Sequence, residues 1–259
     1  MTSERLKGYF DYLKDKTFID KYPTSVIKLE ELKDSNILEM GAGTFNDMLF
    51  LIANKITTPD KIHISEPFIP ASCESLDKLE QILGQGYGYK NRKRISYKPI
   101  PNSELPDNFI DFFYANNVLH SINYRTLEDE LDLMMSENGS TTSQKRVQKI
   151  LKPGKDKIRE VIEETFRLLK PEGILFGRNL ADYVNQEVLD QLESKESKSK
   201  TDEFTIWTAK AVLDNTLIGL NPPEFENLGR EIGFKKTYTE EEQLDENKPR
   251  INFYFRFEK

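Results

Sequence analysis

The stretch from Asn36 to Ala53 constrains this chain more than any other. A short apolar run, Asn36 to Met40 (NILEM), meets Gly41-Ala42-Gly43, and a second apolar stretch, Met48 to Ala53, follows it. A short run that stops at glycines predicts a buried strand, and the stretch behind it predicts a helix. A strand that passes through Gly-x-Gly into a helix gathers backbone N–H groups at a helix N-terminus, which suits a nucleotide-like ligand. Tight turns also use glycine for geometry alone. The remainder of the chain therefore has to decide between the two uses.

That remainder alternates. Leu6, Tyr9, Phe10 and Leu13 fall at helical spacing, and a second helix is expected over Pro23 to Leu32, so residues 1–34 read as an N-terminal helical lid. Thr57-Thr58-Pro59 ends the Met48 helix, and Lys61 to Ser65 (KIHIS) predicts a strand. Leu76, Leu79, Ile82 and Leu83 mark a helix closed by Gly84, Gly86 and Gly88. Strands are expected at Arg94 to Lys98, Ile110 to Ala115 and Ile174 to Gly177. Between the last two, Ile158, Val161, Ile162, Thr165, Phe166 and Leu169 share a helical face that Pro171-Glu172-Gly173 ends. Phe225, Leu228 and Ile232 mark a later helix, for which Asn221-Pro222-Pro223 supplies a start with proline. Phe234 to Tyr238 and Ile251 to Phe257 close the chain, the last run alternating with a period of two.

This order predicts an α/β fold: a doubly wound, mostly parallel sheet of seven strands with helices on both faces and a C-terminal antiparallel hairpin. The 259 residues are expected to form one domain spanning 1–259. Two stretches interrupt the rhythm and read as lids or solvated excursions. Residues 123–155 run from acidic to basic, and residues 182–202 surround the low-complexity ESKESKSK.

Composition removes several functions. A net charge of −7 argues against a nucleic-acid coat or an anionic-membrane binder. One cysteine and two histidines leave neither a disulfide scaffold nor a zinc site, so no metal is expected. The chain has no apolar run of about 18 residues, and MTSERLKGYF has charges where a leader would be apolar. A cytoplasmic protein with no membrane partner is the expectation.

Three features favour the ligand-binding use of Gly41-x-Gly43. Glu39 lies two residues before the first glycine, at the carboxyl end of the first strand. Glu66 follows the second strand at a distance suited to accepting from both hydroxyls of a ribose. Asn116-Asn117 ends the fourth strand beside the same crevice.

On these residues the chain resembles the class I S-adenosylmethionine-dependent methyltransferases. NILEMGAGTFN is similar to the family's first motif, and HISEP to its second-strand acid. IDFFYANNVLHSI is similar to its fourth-strand motif, and ETFRLLKPEGILFGRNL to its helix–turn–strand element. GFKKTYTEEE and INFYFRFEK fit its closing hairpin, so the resemblance runs from about Ile37 to the C-terminus outside the two insertions. It implies S-adenosyl-L-methionine as cofactor. Glu39, Gly41, Ala42, Gly43 and Asn46 would hold the methionine end, and Glu66 the ribose diol, with Pro67 following it in the motif. Phe68 would cover the adenine or pack in the core.

Two departures stand out. Phe45 replaces a frequent third glycine. RISYKPIPNSELP lacks the acid that accepts the adenine amine, leaving Asn102, Ser103 or a backbone carbonyl for it.

Methyl transfer needs a base only for an acceptor that is protonated at working pH. His120 is the candidate, with helix-start packing as its other reading, while His63 reads as structural. Tyr114 and Asn117 are expected on the substrate side. The resemblance thus implies transfer of a methyl group to an O or N acceptor, with a small molecule favoured over nucleic acid. A partner-binding scaffold without catalysis and a nicotinamide-dependent oxidoreductase are the alternatives.

Overall fold

Every side chain of the four-residue strand Ile37–Met40 (β1) is buried, and this strand organises the sheet. In the computed structural model of the protein, the described residues are 11, 14–41, 46–65, 96–97, 100, 103–119, 156–214, 217–242 and 248–259. Of the expected N-terminal helix, residues 11 and 14–16 are helical and the rest lies outside the described residues, as do the expected helix over Leu76–Leu83, the 123–155 insertion and Phe45. The other strands are β2 (Ile62–Ser65), β3 (Ser96–Tyr97), β4 (Ile110–Asn116), β5 (Leu169–Val184), β6 (Lys236–Glu241) and β7 (Arg250–Glu258). The described helices are α1 (Asn46–Ala53), α2 (156–168), α3 (Gln186–Ser194), α4 (Lys200–Leu213) and α5 (Pro222–Ile232).

The fold is mixed α/β. Its strands run in the order β3-β2-β1-β4-β5-β7-β6, with the two-residue β3 at one edge. β1 pairs in parallel with both β2 and β4, and β2 with β3. Burial on both faces explains why β1 and β4 read as continuous apolar runs rather than alternating ones.

The chain divides into two compact units. The first contains Met1–Ala115, Glu164–Phe176 and Arg256–Lys259, and the second Asn116–Glu163 and Gly177–Phe255. In the first unit, Met48, Leu49, Leu51 and Ile52 of α1 are buried, as are Ile37, Leu38, Ile62, Ile64, Ile110 and Phe113. An aromatic group joins them: Tyr114 stacks on Phe176 at 5.1 Å between ring centres, and Tyr22 meets both edge-on.

The expected helix over Pro23–Leu32 does not form. Val26 and Ile27 are both buried as neighbours, and a turn at 24–26 leads to a 3-10 turn at Leu29–Leu32. Arg256 fixes this segment by donating to the Val26 carbonyl and the Glu31 carboxylate, each at 2.9 Å. Elsewhere in the unit, Glu164 accepts from the Ser103 amide (3.0 Å) and hydroxyl (2.8 Å) and from Arg167. Burial works against ionisation there, but the Arg167 guanidinium dominates and lowers the Glu164 pKa to about 2. At the amino end of β4, Asp111 accepts from the Asn36 amide at 2.8 Å and from Lys170 at 2.7 Å.

β5 begins earlier than expected, at Leu169 rather than Ile174. Phe109 already donates to the Leu168 carbonyl, and Glu172 to that of Lys259, so the segment is bonded on both sides. The expected turn survives as a kink at Glu172, whose φ is 68°.

In the second unit, Phe225 of α5 packs edge-on against Phe255 and Phe253 of β7 at 5.2 and 6.0 Å. Asn221 caps α5 by accepting from the Glu224 amide, and Pro222 opens the helix, as the Asn-Pro-Pro sequence predicts. The stretch 182–202 is a correction, since it is ordered secondary structure: the end of β5, all of α3 and the first turn of α4. Asn185 caps α3, Leu189 and Leu192 are buried, and Ser199 with Asp202 forms a capping box that starts α4. The low-complexity residues thus supply helix ends and caps.

Beyond α4 the chain returns to β5. Leu220 bridges Ala181, and Gly219 passes so close that a Cβ there would lie 2.4 Å from the Asp182 Cα. Leu180, Ala211, Val212 and Leu217 fill the base of this excursion. Phe204 and Trp207 lie stacked and exposed on α4.

Candidate cofactor site at the end of β1

Glu39 is the third residue of β1 and only 4% exposed. Its neighbours in register are Ile64 of β2 and Tyr114 of β4. One step on, Met40 aligns with Ser65 and Ala115, so three parallel strands reach their carboxyl ends together. Gly41 then turns the chain with φ 67°, the left-handed conformation that glycine adopts without a Cβ penalty. Its N–H donates to the Ser65 carbonyl at 2.7 Å, which ties the turn to the end of β2. Asn46, half-buried, starts α1 on the far side of the turn.

Asp47, which the sequence reading passed over, is the centre of this region. Its side chain is 6% exposed in the first turn of α1. Oδ1 accepts from the Thr17 hydroxyl, the Phe18 amide at 2.7 Å and the Ile19 amide at 3.1 Å. Oδ2 accepts from the Tyr114 hydroxyl at 2.7 Å. The only sequence signal was an acid in a first helical turn, which is ordinarily a response to the helix dipole.

Tyr114 is corrected accordingly. Expected on the substrate side, it is fully buried in the core and committed to Asp47. Burial first, then Tyr22 and the charges of Asp47 and Glu39, raises its pKa well above the usual tyrosine value. The phenol therefore keeps its proton and donates it to the carboxylate. β4 is buried on both faces, which leaves its interior residues no open side. His63 is structural as expected, buried with its ring edge-on to Phe109 at 5.0 Å.

The second unit holds Asn116, which ends β4, and Asn117. The Asn117 φ is 51°, and its N–H donates to the Arg178 carbonyl at 2.7 Å. Its buried Oδ1 has no hydrogen-bond partner among the described residues. Arg178 pairs with Glu242 at 2.5 Å, and Glu242 also accepts from Asn252 at 2.7 Å and Tyr254 at 3.3 Å. Burial pushes the Glu242 carboxyl up, but Arg178 and Asn252 outweigh it and hold the pKa below the usual value. For Tyr254, burial and the Glu242 charge raise it.

Of the expected site residues, Glu39, Gly41 and Asn46 thus fall together in the first unit. Ala42, Gly43, Glu66, Pro67, Phe68, Asn102 and His120 lie outside the described residues. Among the described residues, no group of three or more metal-ligating side chains occurs, and no helix is long and apolar enough to cross a membrane.

No protein-family model matches the chain, and no curated protein matches its sequence. Solved structures match its shape. Phosphoethanolamine N-methyltransferase 2 of Haemonchus contortus, in complex with S-adenosyl-L-methionine, matches 88% of this chain at a TM-score of 0.51 and 10% identity. The same enzyme with phosphomonomethylethanolamine and S-adenosylhomocysteine gives the same values. The chain has the class I S-adenosylmethionine-dependent methyltransferase fold. It spans about half of that enzyme, 49% of its chain. A SAM-dependent methyltransferase from Aquifex aeolicus matches 96% of this chain and 97% of its own length, with 13% identity and a lower TM-score of 0.46. Within this methyltransferase fold, β1, the Gly41 turn and α1 are the strand–turn–helix element that the sequence pattern singled out.

Proposed function

We propose that this chain is an S-adenosylmethionine-dependent methyltransferase, organised as one domain, that transfers a methyl group to an oxygen or nitrogen of a small molecule. The observation that carries the reading is the buried Glu39 carboxylate two residues before the left-handed Gly41 turn, at the carboxyl end of a parallel strand.

The residues present fit this cofactor. Its methionine end carries an ammonium beside the sulfonium, and Glu39 and Asp47 supply two buried carboxylates in the neighbourhood of Tyr114. Such acidity complements a cation.

When bound, the cofactor supplies an activated methyl group. The chain's own task is then to bind and orient. In this reading Glu39, Gly41, Ala42, Gly43 and Asn46 contact the methionine end, and Glu66 the ribose. Phe68 and Asn102 serve the adenine, and Pro67, Asn116 and Asn117 are further contacts. His120 takes a proton where the acceptor carries one.

Calorimetric titration tests the reading. S-adenosylmethionine is expected to bind and NAD is not. Replacing Glu39 or Glu66 by Ala removes a charge-assisted hydrogen bond and should weaken Kd at least about tenfold. An unchanged Kd in either variant would remove that residue from the site, and NAD binding would favour the oxidoreductase alternative.

A further inference from the structure

Asp47 stands in the first turn of α1, where an acid ordinarily bonds its own helix amides or faces the dipole from solvent. Here its hydrogen bonds run to other segments. Three consecutive residues, Thr17, Phe18 and Ile19, converge on Oδ1, and Tyr114 of β4 reaches Oδ2. One carboxylate therefore joins the N-terminal segment, α1 and β4. Tyr22, three residues beyond Ile19, adds a second tie, with its ring edge-on to Tyr114 at 5.9 Å.

The joint has a direct relation to the site. Tyr114 is the register neighbour of Glu39, and Asp47 follows Asn46. On the β1 side, the Gly41 N–H is anchored to the Ser65 carbonyl. On the α1 side, Asp47 anchors the start of the helix. Gly41 is thus anchored through its backbone, and the start of α1 through this carboxylate.

We propose that Asp47 is a positioning residue for the cofactor site: by locking Thr17–Ile19 and the Tyr114 hydroxyl to the start of α1, it fixes the helix end of the Gly41 turn. The proposal rests on the cofactor reading above. It makes the N-terminal segment part of the binding apparatus, because the seating of residues 17–19 and the placement of the turn depend on the same two oxygens. Loss of that carboxylate is then felt as lost cofactor affinity and not only as lost stability.

The test uses the full chain and three readouts: amide exchange at Phe18 and Ile19, the urea midpoint, and the S-adenosylmethionine Kd by calorimetry. Under conditions where the variant is folded, Asp47→Ala is expected to speed exchange at both amides and to weaken Kd about tenfold, as loss of a charged hydrogen-bond acceptor would. Asp47→Asn keeps an oxygen for the two amides and should recover most of the affinity. Asp111→Ala, which breaks the Asn36 and Lys170 contacts at the amino end of β4, should lower the midpoint and leave Kd in place.

Should Asp47→Ala not fold, Thr17→Val removes one of the four donors and is expected to weaken Kd two- to threefold, on the order of a single neutral hydrogen bond. A folded Asp47→Ala, or failing that Thr17→Val, with the parental Kd overturns the proposal alone. So does an Asp111→Ala variant that loses as much affinity. A parent chain that takes up no S-adenosylmethionine overturns the cofactor reading together with it.

Discussion

Two carboxylates, one in each unit, solve the problem of a buried acid differently. Asp47 is satisfied by neutral groups: a hydroxyl, two amides and a phenol. Glu242 is paired with the Arg178 guanidinium and supported by Asn252 and Tyr254. The Glu242 group cancels its charge locally and acts as a brace beside β7. The Asp47 group is neutralised by none of these donors, and Glu39 adds a second acid to its surroundings. Neutral donors make such a charge tolerable while leaving its field intact. Among the described residues, Asp47 thus meets only neutral donors beside the turn where a cationic cofactor is proposed, whereas the Glu242 charge is paired.

The largest expected effect tests this contrast head-on. Asp47→Ala leaves the Thr17 hydroxyl, the Phe18 and Ile19 amides and the Tyr114 hydroxyl without this acceptor in a mostly buried site, and should cost about 3 kcal/mol of stability. Glu242→Ala, at a half-exposed site, should cost about 1 kcal/mol. Urea midpoints of the two variants check it, and equal losses would break the comparison.

Glu164 sharpens the comparison from the side of the ion pair. Its folded pKa of about 2 lies below the ordinary 4.5, so it contributes stability that is fully present above about pH 4.5 and is lost as pH falls toward 2. Discounted for the solvent around Arg167, that contribution is about 1–2 kcal/mol. Unfolding free energies measured across this window should fall for the parent and flatten in Glu164→Gln. An unflattened profile would assign the acid sensitivity to other carboxylates.

The smallest effects separate the two tyrosines. Tyr114→Phe removes a 2.7 Å bond in the fully buried core and should cost about 1 kcal/mol, whereas Tyr254→Phe removes a 3.3 Å bond at a half-exposed edge and should cost about 0.3 kcal/mol. Thermal melts of the two variants rank them, and the reverse order would show that the exposed group is the tighter one.

Much of the architecture was legible because it is written in local pattern. NILEM ending at Gly41 marked β1 and its turn, KIHIS marked β2, and alternating Ile251, Phe253, Phe255 and Phe257 marked β7. The strand-by-strand alternation with helices carried the α/β class. What was not legible depends on separation or on caps. Asp47 meets Thr17–Ile19, 28 to 30 positions away, and Tyr114, 67 positions away, and nothing local distinguishes it from an ordinary helix-start acid. Tyr114 looked available to substrate because its neighbours in β1 and α1 cannot be inferred from its own strand. The ESKESKSK stretch looked unstructured because residues 193–200 carry no apolar side chain, the buried Leu189 and Leu192 lying just before them. Its capping signal, Ser199 with Asp202, needs the helix behind it to be recognised. Spacing put Glu39 and Gly41 at the carboxyl end of β1, where they lie, whereas the Asp47 joint had no such signal.

Trp207 gives these measurements a practical asymmetry. It is the single tryptophan of the chain, 40% exposed on α4 in the second unit and stacked against Phe204. The first unit contains no indole, and its buried rings are tyrosines and phenylalanines such as Tyr22, Tyr114 and Phe176. Tryptophan emission therefore reports on α4, whereas near-ultraviolet dichroism of the buried tyrosines reports on the Asp47 joint. The molecule arrives already labelled in two colours, and a melt followed with both reads its halves separately without a single added dye.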